Sequence, residues 1–168
     1  MFDKRLSFSN LLIFVSIIVT IISFLLPNIL IYGLNRFFLL QEDYVGLLIQ
    51  FFLYQFLHGG TLHVLSNSIF LYMFGNQIES LIGKTKYVLF FLINTVFVGT
   101  SLLILSDGNT IGISGFAMAV LAYMFLDLRS RNNPEYRSAG IFLLINIAIG
   151  FTGNISLVGH LMGAICGL

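Results

Sequence analysis

From Leu11 to Leu26 the chain reads LLIFVSIIVTIISFLL, and the run stops at Pro27. No charged residue interrupts it. A helix that crosses a bilayer needs about 20 largely apolar residues, so this run is the body of one. It follows the charged opening MFDKR, which gives it the outline of a signal peptide. No small-x-small cleavage site follows, and apolar runs recur along the whole chain. The reading is a retained first span, roughly residues 9–33.

The composition extends this reading to all 168 residues, of which 58% are apolar and 9% charged. A soluble domain carries about 25% charged residues. So few charges cannot coat a globule in water, whereas lipid solvates an apolar surface directly. The expected fold is an all-α polytopic membrane protein. After loops, the length allows at most about six spans, in one compact domain over residues 1–168. The further apolar runs place spans near 61–80, 87–106, 114–128, 138–152 and 156–168. The connection between the first two holds RFFLLQ and VGLLIQFFLYQFL, and is expected to lie in the interface or re-enter the membrane. The last span has 13 residues, about 20 Å of helix against a hydrocarbon core of about 30 Å. Either the helix is cut at Leu168 or it is short and shielded by its neighbours.

Charge gives an independent check. With a cytoplasmic N-terminus, six spans put seven of the eight basic residues inside: Lys4, Arg5, Lys84, Lys86, Arg129, Arg131 and Arg137. Arg36 alone falls outside. The positive-inside rule predicts that bias, and adding or removing a span would scatter it.

A net charge of +1 argues against a nucleic-acid partner, which needs a clustered basic face. The lone Cys166 excludes an internal disulfide and reads as a small packing residue. Gly83-Lys84-Thr85 suggests a phosphate loop, but that motif needs a glycine where Ile78 stands.

Polar groups at hydrocarbon depth are expensive, and they mark function. His58 and His63 fall at the start of the second span, with Asn67 four residues on from His63 and so on the same helical face. Ser114 opens the fourth span within Gly112-Ile113-Ser114-Gly115, and His160 lies early in the sixth. Spans two, four and six run in the same direction, so His63, Asn67, Ser114 and His160 converge near the outer face. Gly159, Gly163 and Gly167 on one helix, and Gly115, Ala119 and Ala122 on another, form small-residue strips that permit close packing.

Each polar group also has an ordinary explanation. A serine at a helix start is most often an N-cap, and a His/Asn pair can be interhelical glue. Together they describe chemistry: a serine nucleophile, a histidine to take its proton, and donors for an oxyanion. Zinc is the competing reading, but His58 and His63 are five apart rather than four, and no carboxylate adjoins them. No metal and no other cofactor is expected. A third catalytic member is hard to find. Asp127 and Glu79 lie towards the cytoplasm, and Asp107 is in a loop. The economical reading is a Ser–His dyad.

These residues make the chain resemble the rhomboid intramembrane serine proteases. His58 to Asn67 fits HxxxxHxxxN, Glu79 to Gly83 fits ExxxG, Gly112 to Gly115 fits GxSG, and Gly159 to Gly163 fits GHxxG. The four occur in the family's order, over about residues 50–168. The resemblance implies a rhomboid-like bundle of six transmembrane helices with Ser114 as nucleophile and His160 as general base. It implies an oxyanion site of His63, Asn67 and the Ser114 N–H, shaped by Gly112, and a structural or water-holding role for His58. Met118 and Gly163 support the site. The implied substrates are transmembrane proteins cut near the outer membrane face, with membrane lipids as the other partner. The implied location is the plasma (inner) membrane of a bacterium.

Three features depart from the pattern, one of them the short sixth span. Met118 stands where many relatives carry an aromatic, which implies a looser hold on His160. Ile49-Gln50 stands where relatives carry Trp-Arg in the first outer loop. The alternative function is a catalytically inactive rhomboid-like protein that binds transmembrane helices. Inactive relatives typically lack the serine or the histidine, and both are present here. A small transporter would be expected to show inverted repeats, and none is visible.

Overall fold

A computed structural model describes residues 7–152 and 155–168; Lys4 and Arg5 lie outside the described residues. The described chain is helical, with one isolated antiparallel bridge between Leu34 and Thr110.

Helix α1 runs Phe8–Leu25. The Ser7 side chain caps it by accepting from the Asn10 N–H. Its outward positions carry Leu11, Phe14, Ile18, Ile21 and Leu25, all exposed, while Ser9, Ser16, Thr20 and Ser23 are buried. Small polar residues inward and large apolar residues outward is the reverse of a soluble helix, and matches helix packing in lipid. The helix stops because Pro27 disfavours helical geometry at Leu26, which sits at φ −128° and ψ 75°. A 3₁₀ turn, Pro27–Tyr32, takes the chain onward, so the α-helical part of the expected 9–33 span ends at Leu25.

Two short helices follow, α2 (Phe37–Leu40) and α3 (Tyr44–Leu53). Leu40, Tyr44, Val45 and Leu48 are exposed on them, an apolar surface that suits the membrane interface. Gln50 anchors this segment: it is fully buried, and its Nε2 donates to the Gly33 carbonyl at 2.7 Å. Arg36 donates from Nε to the Leu103 carbonyl at 2.6 Å and from a terminal nitrogen to the Ile104 carbonyl at 2.7 Å. The loop that lacks a Trp-Arg pair is therefore held by Gln50 and Arg36.

Helix α4 (Thr61–Phe70) passes through a π-helical turn, Leu71–Gly75, into α5 (Asn76–Ile82). Within α5, Glu79 is wholly buried, and its carboxylate accepts the N–H groups of Phe8 and Ser9 and the Ser9 hydroxyl at 2.7, 2.9 and 3.0 Å. A carboxylate at a helix N-terminus satisfies orphan donors and complements the helix dipole. Four residues on, Gly83 ends α5 at φ +86°, a conformation that favours glycine. The Glu79–Gly83 motif thus ties α1 to α5 and turns the chain into α6 (Lys84–Leu105).

Helix α7 (Ser114–Ser130) is central: every residue from Gly115 to Ala122 is buried. Phe116 lies edge-on to Tyr87, Phe90 and Phe91, with ring centroids 5.1–5.4 Å apart. Helix α8 (Tyr136–Ile149) ends in a 3₁₀ turn, Gly150–Thr152, and α9 (Leu157–Gly167) packs most extensively against α7. Any side chain at Gly163 would overlap the Gly115 carbonyl, and any at Gly167 the Ala119 carbonyl. The small-residue strips read in the sequence face each other at this crossing.

By length and composition, α1 and α6 suffice to cross a membrane, and α3, α8 and α9 are shorter apolar helices.

Candidate functional site

One cavity of about 900 Å³ is lined by His63, Asn67, Ser114, Met118 and His160 together. The fold brings these five predicted site residues to the same walls from α4, α7 and α9. Gly60 precedes α4, so His63 and Asn67 occupy its first two turns, one above the other. Asn67 is buried, and its Nδ2 has no hydrogen-bond partner among the described residues. A buried amide nitrogen without a partner is uncommon in a folded protein and calls for an explanation.

The Gly59 N–H approaches His63 Nδ1 at 3.4 Å. With Nδ1 accepting, a neutral ring carries its proton on Nε2 and is a donor there. Gly112 faces that edge. A Cβ at Gly112 would lie 2.8 Å from both Cε1 and Nε2 of His63, and its φ is +111°. Both facts require glycine. The Gly112 N–H is fixed to the Tyr54 carbonyl at 2.9 Å.

Ser114 is the first residue of α7, with Ile113 at the cap position and no side-chain cap bond. The ordinary role of a serine at a helix start is therefore not in use. The loop before it is pinned to the segment between α1 and α2 by the Leu34–Thr110 bridge, by Asn35 Nδ2 donating to Asn109 Oδ1 at 3.0 Å, and by an Arg36–Asp107 ion pair at 3.2 Å.

His160 lies in the first turn of α9, which Ser156 caps by accepting from the Gly159 N–H at 3.0 Å. The ring is buried, and its Nδ1 lies 2.8 Å from the Asn146 main-chain oxygen. A carbonyl oxygen only accepts, so Nδ1 carries a proton and, in the neutral ring, Nε2 keeps its lone pair. Sequence reasoning missed Asn146, because the group that counts is backbone and every residue has one. Met118 is buried and lines the same cavity.

His58 is set behind the site. Its Nδ1 meets the Thr20 hydroxyl at 3.3 Å and the Phe56 carbonyl at 3.1 Å, and its ring lies edge-on to His63 with centroids 4.9 Å apart. Of the three carboxylates weighed from sequence, Glu79 caps α1, Asp107 pairs with Arg36, and Asp127 pairs with Arg131 at 2.9 Å.

A family model described as the Rhomboid domain matches residues 45–168, a segment that contains the whole cavity set. The chain belongs to the rhomboid family. Three similar proteins share one name. Rhomboid protease GlpG of Haemophilus influenzae is 30% identical over 118 residues, which cover 66% of this chain and 62% of that protein. Rhomboid protease GlpG of Yersinia pseudotuberculosis serotype I is 28% identical over 122 residues, 67% of this chain and 43% of that protein. That of Yersinia pestis, strain Pestoides F, is 32% identical over 71 residues. The chain thus spans about three fifths of the Haemophilus rhomboid and less than half of the first Yersinia one.

Proposed function

We propose that this rhomboid is an intramembrane serine endopeptidase that cuts transmembrane protein substrates near the outer membrane face through a Ser114–His160 dyad. The observation that carries the reading is the orientation of His160. Its proton is held on Nδ1 by the Asn146 carbonyl, which leaves Nε2 as a base within the cavity that Ser114 lines.

In the first step His160 Nε2 takes the Ser114 hydroxyl proton as Oγ bonds to the scissile carbonyl carbon. The resulting oxyanion is met by Asn67 Nδ2, His63 Nε2–H and the N–H of Ser114, one of the helix-end donors without an intrahelical partner. The imidazolium then passes its proton to the leaving amine as the C–N bond breaks. Water, deprotonated by His160, attacks the acyl-enzyme, and the proton returns to Ser114 Oγ. Serine, asparagine and threonine residues at Ser66, Ser106, Asn109 and Thr110 line the cavity and suit water entry. The chemistry calls on no cofactor.

The same reading covers the setting. The chain forms a single domain over residues 1–168, with six spans and a cytoplasmic N-terminus, in the plasma (inner) membrane of a bacterium. The seven-to-one distribution of basic residues supports this orientation. The partners are transmembrane substrates and membrane lipids.

A fluorophosphonate probe tests the nucleophile. In detergent it should label the wild-type chain at Ser114, and labelling should vanish in Ser114→Ala and His160→Ala. Equal labelling of the Ser114→Ala chain would overturn the assignment.

A further inference from the structure

Helix α8 does not end as an α-helix. In an unbroken helix the Gly150 N–H would bond to the Asn146 carbonyl. Instead it turns to the carbonyls of Ile147 and Ala148, and Gly150–Thr152 continue as a 3₁₀ turn. This tightening releases the Asn146 oxygen from the helix ladder. The released oxygen is the one that His160 Nδ1 meets at 2.8 Å.

Gly150 is what permits the arrangement. It is buried, and a Cβ there would lie 2.7 Å from Leu157 Cα and 3.1 Å from Leu157 Cβ. Leu157 is the first residue of α9, three positions before His160. The close approach that requires glycine therefore seats the end of α8 against the turn that carries the imidazole. Elsewhere a buried carboxylate fixes the tautomer of a catalytic histidine. Here the carboxylates of Glu79, Asp107 and Asp127 are engaged in other parts of the fold.

We propose that Gly150 is a positioning residue: by tightening the end of α8 against Leu157 it frees the Asn146 carbonyl, which holds the proton of His160 on Nδ1 in place of a triad acid. The catalytic consequence rests on the proteolytic reading above. The place of the proton does not.

The test uses the full chain in detergent micelles with ¹⁵N-labelled histidine, the His160 signals being assigned by their loss in His160→Ala. Two variants are compared with wild type. Gly150→Ala adds a Cβ at the contact with Leu157. The second replaces Ile147 by its α-hydroxy acid, which turns the 146–147 amide into an ester and weakens the Asn146 oxygen as an acceptor without adding bulk. A thermal midpoint confirms that each is folded. If Gly150→Ala fails to fold, the ester variant carries the test.

In wild type, His160 should show a protonated Nδ1 and a bare Nε2. In each folded variant the two tautomers should mix, and kcat should fall about three- to tenfold with KM changed less than about twofold, the scale of one lost hydrogen bond. A proton on Nε2 in wild type would overturn the proposal. So would an ester variant that keeps both the wild-type tautomer and the wild-type kcat. Tautomers that respond as stated in a chain that cuts no substrate would leave the positioning in place and sink the proteolytic reading. Cleavage by a chain whose tautomers do not respond would sink the positioning alone.

Discussion

His160 Nδ1 stands 2.8 Å from the main-chain oxygen of Asn146, a residue 14 positions earlier on the neighbouring helix. A backbone acceptor of this kind holds an imidazole in one tautomer without burying a second charge. In a membrane that is the cheaper solution, because an intramembrane carboxylate needs its own partners. It gives physical content to the proposed dyad without an acid.

Asn67 tests the oxyanion donors. Its Nδ2 has no partner among the described residues, so Asn67→Ala breaks no bond seen from that nitrogen in the resting molecule. The thermal midpoint should barely move. Turnover should fall about 10²- to 10³-fold, as for one oxyanion donor, while His63 and the Ser114 N–H remain. Steady-state kinetics on a single-span substrate, beside a melting curve, checks both halves.

Glu79 should behave in the opposite way. Its carboxylate satisfies two N–H groups and a hydroxyl at the start of α1. Glu79→Ala leaves these donors unpaired and should cost about 3 kcal/mol of stability. Glu79→Gln should cost less, since one amide oxygen can still accept. Chemical unfolding in detergent measures the loss. Activity per folded molecule should change far less than in Asn67→Ala.

The α7–α9 crossing gives a third prediction. Gly163→Val would push a branched side chain into the Gly115 carbonyl. Separating these helices moves Ser114 and His160 apart, so stability and cleavage should fall together. Gly163→Ala brings the same Cβ against that backbone oxygen, which cannot move aside as a side chain can, so it too should lower both, by more than the usual overpacking cost of about 1–3 kcal/mol. Unfolding and cleavage assays on the same preparations decide whether the two losses run in parallel.

Arg36 and Asp107 should differ although they form one ion pair. The Asp107 side chain is 95% exposed, and an exposed pair contributes about 0–1 kcal/mol. Arg36 also holds the carbonyls of Leu103 and Ile104 at the end of α6. Arg36→Ala should therefore lower the thermal midpoint clearly, and Asp107→Asn should hardly change it. Equal effects would contradict the assignment of anchoring to the two carbonyl contacts.

These contrasts show where the sequence was readable. Ser114, His160, His63, Asn67 and Gly112 stand out because side-chain chemistry at fixed spacing is visible in a string of letters, and all but Gly112 line the same cavity, with Gly112 packed on the His63 ring. The helical character was equally open, since apolar runs and small-residue strips carry it. Asn146 was hidden because a backbone oxygen has no letter of its own. Glu79 looked remote from the site, and it is. Its role depends on α1 folding back from 70 residues away, a pairing that no local pattern encodes. Gln50 looked like a missing anchor until its burial against Gly33 placed it. The π turn at Leu71–Gly75 has no local signature either, since nothing in LYMFG distinguishes it from an ordinary helical turn.

The most direct measurement is cleavage of a single-span substrate in proteoliposomes by purified wild type, Ser114→Ala, His160→Ala and the double variant, with product ends located by mass spectrometry. The account predicts wild-type cuts in the outer part of the substrate's membrane span. It predicts background cleavage for each single variant and no further loss in the double, because the two groups act as a unit. A folded Ser114→Ala chain that cuts the substrate like wild type would contradict it.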